Sequence, residues 1–180
     1  WRFDSASGDL TKYGWTNTLG GVGSAAQSLL LTGWGRVWMS GWAKTSSGMA
    51  AALWQWDGSA VSLVASSTEA FVVQAESMDY DETGQFWLSG QSQADAGAGP
   101  KLVLWRHPVW GGSSLREVES YPKVDPLVQR NVGSALAVGE SYVRLLIPAT
   151  SGGYEVWHRA ILGNLSGRLS YPNGFSGGNV

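Results

Sequence analysis

The amino-acid sequence predicts an all-β protein built from repeated four-stranded sheets. The chain holds eleven Trp and twenty-five Gly, one aromatic motif returns about every fifty residues, and no segment keeps a helical period. Tryptophan supplies large, stiff packing area, while glycine allows the tight turns that short strands need. With 180 residues, 43% of them hydrophobic and only 14% charged, the chain can bury a core, and this composition excludes disorder.

The strongest internal repeat is a tryptophan followed by polar residues. It occurs at Trp1, Trp54, Trp105 and Trp157. These anchors lie 53, 51 and 52 residues apart. A second motif recurs with a similar period. Segments 35–41 and 84–90 each begin with Gly and then have Trp, an apolar residue, Ser and Gly at the same positions. A third copy at 139–145 keeps the Gly and an aromatic residue but loses the Ser-Gly pair.

Each repeat reads as four short strands. In the first complete repeat these are the apolar run 28–31, the aromatic run 37–39, the anchor run 52–56 and the run 61–64 after a turn. Runs of about five residues between Gly, Asp and Ser turns are typical of β-strands. The apolar runs 71–75 and 134–138 begin the next two repeats in the same way.

A four-stranded repeat of this length is typical of a β-propeller blade. One twisted sheet cannot cover its own faces, so neighbouring sheets stack like spokes and wide aromatic residues fill the gaps. We therefore predict one domain over 1–180, a β-propeller segment of about three and a half antiparallel blades that is incomplete alone. Its parts are a half-blade over 1–19, blades over about 20–68, 69–122 and 123–172, and a tail over 173–180. A two-sheet sandwich is the competing fold, and it needs no regular period.

The phase of the repeat predicts a partner. The half-blade has only the third and fourth strands of a unit, which leaves an edge that invites pairing. We expect another chain, or the rest of a longer chain, to complete the ring.

Several segments resemble a known group of proteins. Segment 1–10, followed by Gly20 and Gly21, is similar to the end of the repeats in large bacterial surface and secreted proteins of the delta-sixty and β-propeller repeat families. Segments 35–41 and 53–58 match the two pieces of that repeat. The resemblance implies a propeller at the cell surface or outside the cell, with no common activity and no catalytic residues to transfer.

The resemblance is one of pattern and has a departure. The third unit has Pro108 and Val109 where the family places an Asp and a turn. Kelch-type repeats are a second match, although Gly20 and Gly21 do not follow the second strand as kelch repeats require.

Composition excludes several partners. The net charge is −2 and the cations are scattered singly, so no patch for nucleic-acid phosphates is expected. The absence of cysteine excludes disulfides, thiolate chemistry and Cys-based zinc sites. No apolar run approaches the about 20 residues that cross a bilayer, and no cofactor is predicted.

The tryptophans carry the best sign of ligand binding. Five of them keep the phase of the repeat and are predicted to lie in the core, namely Trp38, Trp54, Trp87, Trp105 and Trp157. Four others lie near predicted turns and are the candidate ligand-binding residues, namely Trp15, Trp42, Trp34 and Trp110. Exposed Trp stacks on sugar rings or anchors protein interfaces, so a glycan is a possible ligand, and the alternative is packing at blade edges.

Polar residues give no catalytic or metal-binding set. Segment 79–84 starts like a calcium loop but lacks the bidentate Glu at its far end. Glu117 and Glu119 are two apart on a strand and are expected to share a solvated face. His107 and His158 are expected to be polar strand residues, and Gln91, Gln93 and Asp95 are polar residues expected near a central channel.

The leading functional hypothesis is a non-enzymatic binding, adhesion or assembly module of a surface or secreted protein. A lectin-like propeller that uses the turn tryptophans is one alternative. A hydrolase or lyase on a propeller scaffold is another, and it would need an acidic pair or metal that the sequence does not supply.

Overall fold

The computed structural model describes residues 2–3, 5–11, 19–33, 35–108, 111–122, 135–148, 154–161 and 165–171. These residues form fourteen β-strands and no helix, which confirms the all-β prediction. In this part of the chain there is accordingly no helix with the length and apolar character needed to cross a membrane.

The strands form one two-stranded sheet and three four-stranded sheets. The small sheet pairs β1 (Arg2–Phe3) with β2 (Leu10–Thr11). Sheet I contains β3 (Gly20–Leu31), β4 (Val37–Thr45), β5 (Met49–Trp56) and β6 (Val61–Ser66). Sheet II contains β7 (Val72–Tyr80), β8 (Gln85–Gln93), β9 (Lys101–Pro108) and β10 (Arg116–Pro122). Sheet III contains β11 (Ala135–Val138), β12 (Tyr142–Pro148), β13 (Tyr154–Ala160) and β14 (Leu165–Tyr171).

Each large sheet is an antiparallel meander in which strands adjacent in the chain are adjacent in the sheet. Tight turns make this order the simplest one, because antiparallel neighbours need only short connections. The central strands of sheets I and II are buried on both faces, as the unbroken buried run 102–105 in β9 illustrates, whereas β12 of sheet III alternates buried and exposed residues. Strands that are buried on both faces carry continuous apolar residues, because neither face is in contact with water.

Sheets I and II pack face to face through one hydrophobic cluster. We call the face of sheets II and III that is turned toward the preceding sheet, and the equivalent face of sheet I, the leading face, and the opposite one the trailing face. Trp38 and Leu53 on the trailing face of sheet I meet Phe86, Leu88 and Trp105 on the leading face of sheet II. The Trp38 and Phe86 ring centroids are 4.3 Å apart and tilted, a favourable aromatic geometry.

Sheets II and III repeat this arrangement. Trp87 and Leu104 on the trailing face of sheet II meet Val143, Leu145 and Trp157 on the leading face of sheet III. The two successive sheet-to-sheet contacts are therefore built from the same strand positions.

The anchor tryptophans occupy one equivalent position. Trp54, Trp105 and Trp157 lie on the third strand of their sheets, opposite Met39, Leu88 and Leu145 on the second strand. Each is at least nine-tenths buried on a leading face. Trp38 and Trp87 are equivalent in the same way, each directed from a trailing face toward the next sheet. The predicted core role of all five tryptophans is confirmed.

A β-bulge accounts for the repeated Ser-Gly pair. The first strand of sheet I has a register shift between Ala26 and Ser28, and that of sheet II has one between Ala75 and Ser77. Each bulge drives a backbone carbonyl toward the second strand. A Cβ at Gly90 would lie 1.9 Å from the Gln74 carbonyl oxygen, so only glycine fits there. Gly41 is held in the same way against Ala25.

Candidate functional site

Three of the four tryptophans proposed as ligand-binding residues, Trp15, Trp34 and Trp110, lie outside the described residues. Trp42 is described and is half-buried within β4, which continues past it to Thr45. One edge of its ring lies beside Gly23, where a Cβ would approach to 3.9 Å. Glycan contact by Trp42 stays a prediction.

Asp81, in the segment that resembles a calcium loop, organises the turn between β7 and β8. Its Oδ1 accepts hydrogen bonds from the N–H groups of Thr83 at 2.9 Å and Gln85 at 3.1 Å. Its Oδ2 accepts one from the Trp87 indole at 2.8 Å. Burial, the largest single influence, raises the pKa of Asp81, but the hydrogen bonds from Thr83, Trp87 and Gln85 together outweigh it and leave that pKa below its usual value.

The equivalent turn in sheet I lacks this carboxylate. Thr32 N–H donates to the Arg36 carbonyl at 3.0 Å, just as Asp81 N–H donates to the Gln85 carbonyl at 3.0 Å. The Trp38 indole therefore faces a threonine position where Trp87 faces a carboxylate. Its buried N–H has no partner among the described residues.

This matched pair of turns gives a reciprocal prediction. Replacing Asp81 by Ala leaves the Trp87 indole N–H buried without an acceptor, and we expect a loss of about 2 kcal/mol in the free energy of unfolding at pH 7. Replacing Thr32 by Asp supplies the acceptor that Trp38 lacks, and we expect a gain of about 1 kcal/mol. Urea denaturation of both variants measures the two changes.

The pH dependence of Asp81→Ala has a definite sign. Because the folded pKa of Asp81 lies below its unfolded value of about 3.9, the stabilisation is complete above about pH 5 and is lost as the pH falls through the folded pKa. The difference in the free energy of unfolding between wild type and Asp81→Ala should therefore become smaller below about pH 5. Glu82→Ala, at an exposed residue of the same turn, is the control. A difference in the free energy of unfolding that stays constant from pH 7 to pH 3 would contradict the role assigned to the Asp81 carboxylate.

Other carboxylates also have structural roles in turns. Asp57 Oδ1 accepts hydrogen bonds from the Ala60 and Ser59 N–H groups, each at 2.9 Å, and these bonds lower the pKa of Asp57 to about 2. Asp95 Oδ1 accepts two from Gly97 and Ala98, each at 2.8 Å. Both carboxylates close turns and are not directed at a shared point, as a catalytic pair would need.

The expectation that Glu117 and Glu119 share a face is wrong. A bulge separates them, so that Glu117 lies opposite Trp105 while Glu119 lies opposite Leu104. Neighbouring residues of β9 point to opposite faces, and the two glutamates therefore do so as well. Glu119 forms an ion pair with Arg159 of sheet III and helps to join sheets II and III.

The two histidines differ in environment. His107 is buried, and its Nε2 lies 2.9 Å from the Gly112 carbonyl oxygen, so Nε2 carries the proton that is donated. His158 is half-buried on β13, opposite Arg144 of β12. Within the described ranges, no three His, Asp or Glu side chains come together in a group that could hold a metal ion.

The polar residues expected near a channel are also part of the fold. Gln91 and Gln27 both donate side-chain hydrogen bonds to Gln74 Oε1, at 3.3 and 3.4 Å. Because Gln27 belongs to sheet I and Gln74 to sheet II, this group joins the first strands of two successive sheets. Gln93 is half-buried at the end of β8.

The first strand of sheet I carries the most unusual surface. Leu29 and Leu31 are 67% and 64% exposed on its leading face. Their equivalents in sheet II are Met78, only 6% exposed, and Tyr80, which is half-buried against sheet I. Their equivalents in sheet III, Leu136 and Val138, pack partly buried against the cluster between sheets II and III. Leu29 and Leu31 thus lack a cover that the same positions have elsewhere.

In the part of the chain that the structure describes, the backbone edge of the same strand is also unpaired. Thr32 N–H bonds to the Arg36 carbonyl, so in an antiparallel ladder the alternation places the N–H groups of Leu31 and Leu29 away from β4. The corresponding N–H groups of sheet III are capped by sheet II. Leu136 N–H donates to Ser77 Oγ at 3.2 Å, and Val138 N–H donates to Asp79 Oδ2 at 2.9 Å.

Sequence reasoning did not single out Leu29 and Leu31. Their run is apolar like the other first strands, and the only signal was the phase of the repeat, which predicted an incomplete unit before them. Whether these positions are exposed depends on the side chains that a neighbouring sheet packs against them, and this is a property of the tertiary structure.

No family model, no curated protein and no solved structure matches this chain.

Proposed function

We propose that sheets I to III are blades of a β-propeller and that the chain is a non-enzymatic binding and assembly module of a surface or secreted protein. The equivalent anchors Trp54, Trp105 and Trp157 support the blade assignment, because Trp105 and Trp157 fill the space between successive sheets and Trp54 is buried at the same position of sheet I. Radial stacking of four-stranded meanders is the arrangement that such contacts favour.

The use of the carboxylates supports a non-enzymatic role. Asp57, Asp79, Asp81 and Asp95 accept hydrogen bonds from backbone N–H groups, and Glu119 is paired with an arginine. A general acid or base needs a free carboxyl directed into a cleft. These groups instead fix turns and the contacts between sheets.

The observation that carries the proposal is the exposed pair Leu29 and Leu31. Apolar residues that are buried or partly buried against the preceding sheet at two equivalent places and exposed at a third mark a surface that another protein segment covers. We call Leu29, Leu31 and the open edge of β3 the inner-edge surface.

The self-association of the purified chain tests the proposal. Light scattering should give a concentration-dependent increase in mass above that of the 19.2 kDa monomer. Burial of two leucines contributes about 3 kcal/mol or more, so Leu29→Lys/Leu31→Lys should raise the dissociation constant by about 100-fold.

Phe71→Lys is the matched control, since Phe71 is also apolar and 53% exposed but lies outside the inner-edge surface. This variant should assemble like the wild type. A wild-type chain that stays monomeric at all concentrations, or assembly that survives Leu29→Lys/Leu31→Lys, would contradict the proposal.

A further inference from the structure

We infer that the partner of the inner-edge surface is the first two strands of another unit of this same repeat, with a hydroxyl and a carboxylate two residues apart on its first strand. This inference rests on the proposed assembly function and names its partner. It is drawn from the way sheet II covers sheet III.

The contact between sheets II and III shows what covers a first strand. Ser77 and Asp79 of β7 project onto the edge of β11 and accept the outward N–H groups of Leu136 and Val138. An uncapped edge is a site for unwanted pairing, and a buried N–H without an acceptor is costly. Side-chain acceptors on the preceding first strand meet both needs.

The Asp79 carboxylate accepts backbone hydrogen bonds from two different strands. Its Oδ2 caps Val138 of sheet III, while its Oδ1 accepts the N–H of Tyr80 in its own strand at 2.9 Å. In sheet I the equivalent of Asp79 is Leu30, which packs into the core between sheets I and II. The Leu31 N–H therefore has no carboxylate of its own strand beside it, and a strand that covers and buries it has to provide the acceptor.

The small sheet indicates which strands are needed. Taking Trp1 as the equivalent of Trp54, the pairs Arg2 with Thr11 and Phe3 with Leu10 correspond to Gln55 with Ser62 and Trp56 with Val61. In the described residues, β1 and β2 thus match the third and fourth strands of a unit. The strands that complement β1 and β2 in a unit are the first and second strands, and in sheet II the first of these carries the two acceptors.

The chain itself contains a suitable hairpin for the experiment. Residues 69–104 include β7, β8 and the start of β9, and residue 105 is the anchor equivalent to Trp1. Placing a second copy of 69–104 directly before Trp1 supplies a first and a second strand in phase with β1 and β2. Amide hydrogen exchange at Leu29 and Leu31, followed by NMR, reports on their N–H groups.

We expect the added copy to slow exchange at Leu29 and Leu31 by at least about tenfold. Ser77→Ala/Asp79→Ala in the added copy should remove most of that protection, whereas Glu82→Ala in the added copy should retain it. Unchanged exchange in the extended chain, or equal protection by the double variant, would overturn the inference.

The two proposals fail separately. The unextended chain could assemble through Leu29 and Leu31 while the extended chain shows no slower amide exchange at these residues. That result would support the assembly function and exclude this partner. A monomeric unextended chain that is nevertheless protected by the added copy would exclude self-assembly while supporting the partner.

Discussion

Replacing Gly90 by Ala is expected to lower the free energy of unfolding by about 3 kcal/mol or more. The added methyl would lie 1.9 Å from the Gln74 carbonyl oxygen, a backbone atom that the bulge in β7 holds in place. To relieve this clash, the first two strands of sheet II would have to separate, and the hydrogen bonds between them would weaken.

Urea denaturation followed by tryptophan fluorescence measures this loss. Gly99→Ala is the control, because a Cβ at Gly99 meets nothing within 4 Å, and its effect should stay within about 0.5 kcal/mol. Gly41→Ala should behave like Gly90→Ala, since its Cβ would also lie 1.9 Å from a carbonyl oxygen, that of Ala25. A Gly90→Ala variant as stable as Gly99→Ala would show that the bulge does not fix this contact.

Replacing Trp105 by Ala is expected to lower the free energy of unfolding by about 3–5 kcal/mol. Trp105 is 3% exposed and fills the space between sheets I and II beside Leu53 and Leu88. Removing the indole leaves a cavity that two rigid sheets cannot collapse to fill. The melting temperature should fall by about 10 °C.

Calorimetry checks this expectation, with two comparisons. Trp105→Phe keeps an aromatic ring in the same space and should lose less stability than Trp105→Ala. Phe71→Ala removes an aromatic side chain that is 53% exposed and should change stability by less than about 1 kcal/mol. Equal losses for Trp105→Ala and Phe71→Ala would refute a packing role for the anchor.

The repeat was readable in the sequence because packing between stacked sheets imposes it. The indole of Trp105 or Trp157 fills the gap between two stacked sheets, and Trp54 occupies the equivalent third-strand position of sheet I, so the three recur at one phase. The four-stranded pattern followed from the short apolar runs and the turns between them. All four strands predicted in the first complete unit are present as β3 to β6.

The repeated Ser-Gly pair was visible but could not be interpreted from the sequence. Its cause is the approach of a carbonyl from the bulged neighbouring strand, which no local pattern encodes. In the third unit Ile147 stands at the position of Gly90, and the first-strand residues that would face it lie outside the described residues.

The error over Glu117 and Glu119 has a related origin. Alternation along a strand places residues two apart on one face, but one bulged residue between them reverses the second. The role of Asp81 was also hidden, because the Asp-rich segment resembled a metal loop. Its carboxylate is instead occupied by Thr83, Gln85 and Trp87.

The sequence alone determined the class of fold, the period and the core position of the five tryptophans that keep the phase of the repeat, because strand propensity and aromatic spacing are local properties repeated along the chain. Only the tertiary structure decided which apolar residues stay uncovered and which polar groups cap an edge. Those properties depend on the sheet that faces each residue, so Leu29 and Leu31 become a candidate interaction surface while Met78, in an equivalent strand, belongs to the core.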